Sequence, residues 1–395
     1  MNYSRHKLQI IFAFLLTVPW LFSFIFGLHY SPNIAALISG LAVLGAAFLL
    51  SWAAETAEMD VPRSVSLAAV ALLAVLPEYA VDAYFAWMAG KVGGDYIHYA
   101  TANMTGANRL LIGIGWSGVM LTAMLKLRKT EIELDKALNL EIFFLLVASV
   151  YAFILPFKGN ISVFDSLVFV SIYAAYAYLA TKAEKEEFEP TGVPEYLCSL
   201  PTPRRRRNVV FFMVYSAVMI FISVEAFSEG LLGTAEMFGI DSFLMVQWLA
   251  PLASEAPEFI VAMYLVRKLR TSAGLNALIS SKVNQWTLLI GTIAVVFSIS
   301  SMQIAPLPLD ERQTEEVLLT AAQSVFALAI IMDRRVSVYE ALALMGLFLI
   351  QFALPSVHAR ILLSWVYLIL SVPILIHHRR EIAHAFDYVK TLARR

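Results

Sequence analysis

Cysteine is almost missing from this 395-residue chain: Cys198 stands alone, which excludes an intrachain disulfide framework and any CxxC or Cys/His metal cluster. Histidine is sparse and badly placed for chemistry. His6, His29, His98, His358, His377, His378 and His384 all lie at the ends of apolar segments or in tails, so a haem or zinc site inside the protein would lack its usual ligands. Charge is scarce as well, at 15% of residues against 59% hydrophobic. Neither a cofactor nor a nucleic-acid partner is expected.

What is present is hydrocarbon, in blocks of about twenty residues separated by short charged loops, the pattern of a polytopic membrane protein in contact with membrane lipid. Twelve candidate spans can be counted: 8–28, 33–55, 64–90, 96–125, 139–157, 162–181, 208–230, 242–266, 273–300, 313–332, 337–354 and 360–377. The runs are continuous and do not alternate, so the spans are helices and not barrel strands. The first run, behind Arg5 and Lys7, is longer than a signal-peptide core and lacks a small-x-small cleavage site, so it reads as a span.

Positive charge orients these spans. With the N-terminus inside, inner loops and tails hold 23 of the 29 basic residues, outer loops hold Lys91, Lys158, Arg312 and Arg360, and Arg109 and Lys282 lie within spans. That bias places both termini in the cytoplasm of a multi-pass protein, with short loops suiting a plasma membrane. The stretch 182–207, with four prolines and Arg204 to Arg207, reads as a mobile cytoplasmic linker. It separates an N-terminal half, 1–181, from a C-terminal half, 208–378. The tail 379–395 reads as a basic amphipathic helix on the inner leaflet.

An internal repeat runs through both halves. TAEM occurs at 56–59 and 234–237. Each copy is followed by an apolar run ending in Pro-Glu (Pro77-Glu78 and Pro257-Glu258), a charged hinge, and a span carrying an asparagine (Asn108 and Asn284). The repeats, about 64–125 and 242–300, start five spans apart, an odd number, so they cross the membrane in opposite directions. The expected fold is an all-α integral membrane protein of about twelve transmembrane helices in two inverted-topology halves. Secondary transporters built this way bind substrate at the midplane, on helices interrupted by Pro or Gly.

Ionisable groups at bilayer depth are costly and normally mark an ion pathway or a charge partner. In the first repeat Glu78 and Asp82, four residues apart, share a helix face, and Pro77 is expected to break the helix there. The paired span offers Asn103, Thr105 and Asn108. In the second repeat Glu255 and Glu258 share a face with Ser254 beside them, Pro257 is the expected break, and the paired span carries Asn284 after the hydroxyls of Ser280 and Ser281. Carboxylate and amide oxygens are what hard cations require, and paired carboxylates leave room for protons.

The run ending in Pro-Glu, then a hinge, then Asn-x-x-Gly-small-Asn resembles the alpha repeats of the sodium/calcium exchanger (cation/calcium antiporter) superfamily. The resemblance implies that Glu78, Asn103, Asn108, Glu258 and Asn284 bind the transported cation. This chain departs from the family pattern at Ala74 and Val75, at Ser254 and Glu255, at Ile279 and Lys282, and at Arg109. Arg109 and Lys282 set two positive charges against four acids, so the expected site suits a cation in general and not calcium in particular. Lys282 is expected to act as an internal counter-cation, pairing with Glu78 or Glu258 when the site is empty. Arg109 is expected to be a fixed ion-pair partner, with Asp82 as one candidate.

The expected function is therefore a secondary active cation antiporter, not an enzyme, exchanging Na+ or Ca2+ against H+ or Na+ by alternating access at a midplane carboxylate site. Two alternatives stand beside it. One is a non-transporting membrane scaffold with a structural ion-pair network; the other is an intramembrane acid/base enzyme using Glu255 and Glu258, which lacks an accompanying His, Cys or metal cluster.

Overall fold

The computed structural model describes residues 3–60, 75–183 and 190–394. Apolar runs have no water to satisfy their backbone in hydrocarbon, so they close their own hydrogen bonds as helices. In chain order these are α1 (Tyr3–Phe26), α2 (Pro32–Ala57), α3 (Leu76–Lys91), α4 (Tyr96–Leu110), α5 (Ser117–Leu127), α6 (Asn139–Ala152), α7 (Ile154–Lys158) and α8 (Val163–Ala180). There follow α9 (Val193–Cys198), α10 (Thr202–Phe238), α11 (Ser242–Arg267), α12 (Thr271–Asn284), α13 (Ile290–Ser300), α14 (Glu311–Ile331), α15 (Val338–Ala353), α16 (Val357–His377) and α17 (Arg379–Arg394). Short strands are β1 (Glu131–Glu133), β2 (Asn160–Ile161), β3 (Leu307–Pro308) and β4 (Arg335–Ser337).

Ten helical stretches among the described residues are long and apolar enough to cross a bilayer, and α15 is a shorter apolar one. With α3 they account for the twelve expected spans. The first part of span 64–90, with Arg63 and Ala74, and Lys185 of the linker lie outside the described residues. Helix starts follow local chemistry: Ser162 with Asp165, Asp310 with Gln313, and Ser337 with Glu340 form reciprocal caps on α8, α14 and α15.

Three expectations are corrected. The break expected at Pro257 is not there: α11 runs unbroken through Pro251 and Pro257. Each proline costs one i→i−4 bond, a loss that a membrane helix tolerates where neighbouring groups re-satisfy its carbonyls. The linker is not a loose tether in its described part. Val193 and Leu197 of α9 are buried against Leu49 and Trp52 of α2, and Arg204 to Arg207 already belong to α10. Arg360, expected in an outer loop, is a buried residue of α16.

By compactness the chain forms two units, Met1–Tyr84 with Lys185–Glu258, and Phe85–Glu184 with Phe259–Arg395. Each draws on both halves of the sequence, and the divisions fall inside α3 and α11, at or just past their acids.

In the first unit α1 and α10 pack along α2. Contact is close because side chains are small: a Cβ on Gly45 would stand 2.5 Å from the Ala13 carbonyl oxygen, and one on Gly230 would stand 2.6 Å from the Ala36 nitrogen. Asp60, just past α2, receives two hydrogen bonds from Arg205 (2.7 and 2.8 Å) and one from Arg206 (3.3 Å). These guanidinium bonds, Arg205's first, hold the Asp60 carboxyl below the usual range.

In the second unit α14 is the axis, buried along most of its length, with α4, α6 and α16 packed on it and α13 on α8. β1 pairs with β4 and β2 with β3, both antiparallel. The first pair joins the start of α6 to the end of α14, the second the end of α7 to the start of α14, so α6 and α14 run in opposite directions. Both pairs join loops expected on the same membrane side. So do the contacts of His98 with Asp310 (3.3 Å) and His378 with Asp333 (3.6 Å).

Candidate functional site

The expected ligands fall into two sets. The first unit holds Glu78, Asp82, Ser254, Glu255 and Glu258. Glu78 and Asp82 are 2% and 1% exposed, one turn apart on α3, and Ser254 and Glu255 are buried on α11, with Glu258 half-buried one turn on. Carboxylates in such surroundings need a cation, a proton or hydrogen-bond donors to stay there. The Ser254 hydroxyl donates to the carbonyls of Ala250 and Pro251 (3.2 and 3.3 Å), leaving its lone pairs available to accept or ligate. Further along α3, Tyr84 donates to Glu229 of α10 at 2.6 Å. Glu225, one turn earlier on α10, is exposed.

The second unit holds Asn103, Asn108, Arg109, Lys282 and Asn284, all buried. Here the two repeats meet. Lys282 of the second repeat donates to Asn108 of the first, at 2.6 Å to Oδ1 and 3.2 Å to the backbone oxygen. Its ammonium also lies 4.5 Å from the centre of the Trp286 ring, a favourable cation–π placement. Asn108 in turn donates to the Met104 carbonyl at 2.8 Å. Thus both polar ends of Asn108 are fixed, and the Lys282 ammonium is held by an amide and an aromatic face.

Both repeats also depart from regular helix at corresponding places. A π-helical stretch, Leu111–Trp116, follows Asn108 by three residues, and another, Gln285–Leu289, follows Asn284 directly. Such turns are rare and recur at functional sites, because the extra residue per turn leaves carbonyls out of the regular ladder. Nothing in the composition of either stretch announces them.

The ion pairing in this unit went unseen in the sequence. Arg109 and Arg360 both pair with Glu316 of α14, all three side chains being 2% exposed or less. Gln323 on α14 donates to the Arg109 carbonyl at 3.2 Å and accepts from Gln351 of α15 at 3.0 Å. Arg109 was expected to make an ion pair, with Asp82 as one candidate; Glu316 is a partner that the sequence did not suggest. The signal was an acid in an apolar run (TEEVLLTAAQ), which is an intramembrane charge by the same test that singled out Lys282. Ser280 turns its hydroxyl to Glu141 of α6 at 3.3 Å.

The family model of the sodium/calcium exchanger protein matches residues 32–182 and 208–356. A solved H+/Ca2+ exchanger, CAX, is 61% identical over 99% of both chains, with a TM-score of 0.96. More distant structures share the fold alone. Native YfkE, at 13% identity, covers 90% of this chain and 99% of its own with a TM-score of 0.64, and the sodium-calcium exchanger NCX_Mj, at 17%, covers 82% and 99% with a TM-score of 0.55. A comparison with curated proteins found no match. With its acid-bearing repeats, its membrane-crossing helices and a match along most of its length, the chain belongs to the sodium/calcium exchanger family and is a membrane cation antiporter, not an enzyme.

Proposed function

We propose that this antiporter exchanges Ca2+ against H+. The observation that carries the reading is the near-complete match, at 61% identity, to a protein that is an H+/Ca2+ exchanger. The residues agree with it chemically. Glu78, Asp82, Glu255 and Glu258, with Ser254, supply hard oxygen donors whose carboxylates bind either a divalent cation or protons. In the second unit Asn103 and Asn284 offer neutral amide oxygens, while the Asn108 Oδ1 accepts from Lys282. Cation and proton compete for the same carboxylates, so release of one favours uptake of the other, and alternating access exposes them to the two sides in turn. The termini face the cytoplasm of a plasma membrane, since basic residues crowd that side.

The test is uptake of radioactive Ca2+ into proteoliposomes driven by a pH gradient, with a Na+ gradient as the parallel arm. The parent takes up Ca2+ under the pH gradient, and Glu78→Gln and Glu258→Gln lose that flux by about two orders of magnitude or more, as expected when a ligand carboxylate is removed. Uptake driven by Na+ alone would replace the proton in this reading. No uptake under either gradient would remove it.

A further inference from the structure

Among the acids of the second unit outside the proposed ligand set, Glu141 bonds to two other helices. Glu141 sits in the first turn of α6, half-buried, and its Oε1 accepts hydrogen bonds from two other helices: Tyr176 of α8 at 3.0 Å and Ser280 of α12 at 3.3 Å. Ser280 lies one turn before Asn284 and two residues before Lys282, on the helix that carries the second repeat's polar groups.

Its surroundings set Glu141 apart from the other well-anchored acids of the unit. Glu316 is clamped by two guanidinium groups, and Asp165 is paired with Lys158 and bonded by the Ser162 backbone at 2.6 Å. Among the described residues Glu141 makes no ion pair. No cation on the described elements packed around α6 pairs with Glu141: Lys136, just before α6, is exposed, and Arg312 stands at the start of α14, opposite the end that meets the start of α6. On α12, Lys282 holds Asn108. At the end of α14, Arg334 donates to Asn139 (3.2 Å), and His378 beyond α16 lies against Asp333. On α17, Arg379, Arg380, His384, Lys390 and Arg394 are exposed. The titratable group that faces Glu141 directly is the Tyr176 phenol.

This is the arrangement in which a carboxyl changes its charge with least rearrangement. Ionised, it is offset by two hydroxyl dipoles and by the helix N-terminus. Protonated on Oε2, it keeps both hydroxyls on Oε1 and sheds the cost of a charge without a counter-ion. The step is proton binding alone: one O–H bond forms, and no electron changes hands.

We infer that Glu141 is a proton-binding site of the transport cycle, separate from the cation ligands and connected to the second repeat through Ser280. The inference rests on the Ca2+/H+ reading above. Occupancy of Glu141 would then bias the position of α12 and so couple the pH on one side to movement of the repeat.

The experiment uses the full chain in proteoliposomes and reads two modes: Ca2+ uptake driven by a pH gradient, and Ca2+/Ca2+ exchange at equal pH on both sides. In Glu141→Gln the proton-driven initial rate falls by about tenfold or more and its pH profile flattens, as for removal of a proton carrier. Ca2+/Ca2+ exchange stays within about twofold of the parent, because it needs the cation site and alternating access but no proton. Glu141→Asp, which keeps the carboxyl, restores the proton-driven mode at least in part. Equal loss of both modes in Glu141→Gln, or no loss in either, overturns the inference while leaving Ca2+/H+ exchange by the parent intact. A parent lacking proton-driven uptake removes the exchange reading, and the role of Glu141 with it.

Discussion

The two compact units share close glycine contacts and differ, among the described residues, in how deeply their ion pairs are buried. The first sets Gly45 against Ala13 and Gly230 against Ala36, ties α2 to α10 through the partly exposed Asp60–Arg205 pair, and contains the acids of both Pro-Glu helices. The second is cross-linked by directional polar bonds: the Arg109–Glu316–Arg360 cluster, the Gln323–Gln351 bridge, Lys282 on Asn108, and two strand pairs clasping α6 and α14. Dispersion between small side chains falls off quickly but has no preferred direction, whereas buried ion pairs and hydrogen bonds fix register. The acids of both Pro-Glu helices lie in the first unit, and the buried amides lie with Arg109 and Lys282 in the second.

Substitutions can break this contrast. The largest effect is expected at Glu316. Glu316→Gln leaves Arg109 and Arg360 buried around a neutral amide and should destabilise the protein by about 3–5 kcal/mol, read as a marked loss of thermal stability in detergent. A change no larger than that of an exposed control would show that the second unit does not depend on the cluster. Next comes the first unit's packing. In Gly230→Ala the new Cβ meets the Ala36 backbone, and a loss of about 1–3 kcal/mol is expected, the cost of overpacking. An unchanged melting temperature would mean that α2 and α10 separate freely.

The smallest effect concerns Asp60, which ties α2 to α10. Because its folded pKa is depressed, the contribution is present above the unfolded value of about 4 and is lost as pH falls through the lower folded value. Asp60→Asn should cost about 1 kcal/mol at neutral pH and should differ little from the parent below pH 4. A difference that persisted in acid would show that the pair acts through something other than charge.

Much of this was legible in the chain. Span number and most boundaries follow from the length of apolar runs, and loops assigned to one side by basic residues are the loops that touch. The repeat was legible because Pro-Glu and Asn recur in order. Less visible were the features that depend on partners distant in sequence. Arg360 looked like an outer-loop charge because it stands three residues into α16, and only its burial against Glu316 makes it part of the core. Nothing in the sequence singled out Glu141, which α8 and α12 meet with hydroxyls. Pro257 looked like a break because local propensity favours one, yet α11 continues through it.

The sequence by itself determined that the chain crosses a membrane as helices, which way successive helices run, and which of those helices carry acids. These depend on hydrophobic length and on charge at segment ends, properties of contiguous residues. Only the tertiary structure decided which cation meets which acid, where the helices loosen into π turns, and which carboxyl is left to hydroxyls alone. Such choices are made between segments that only folding brings together, where low dielectric makes every partner count.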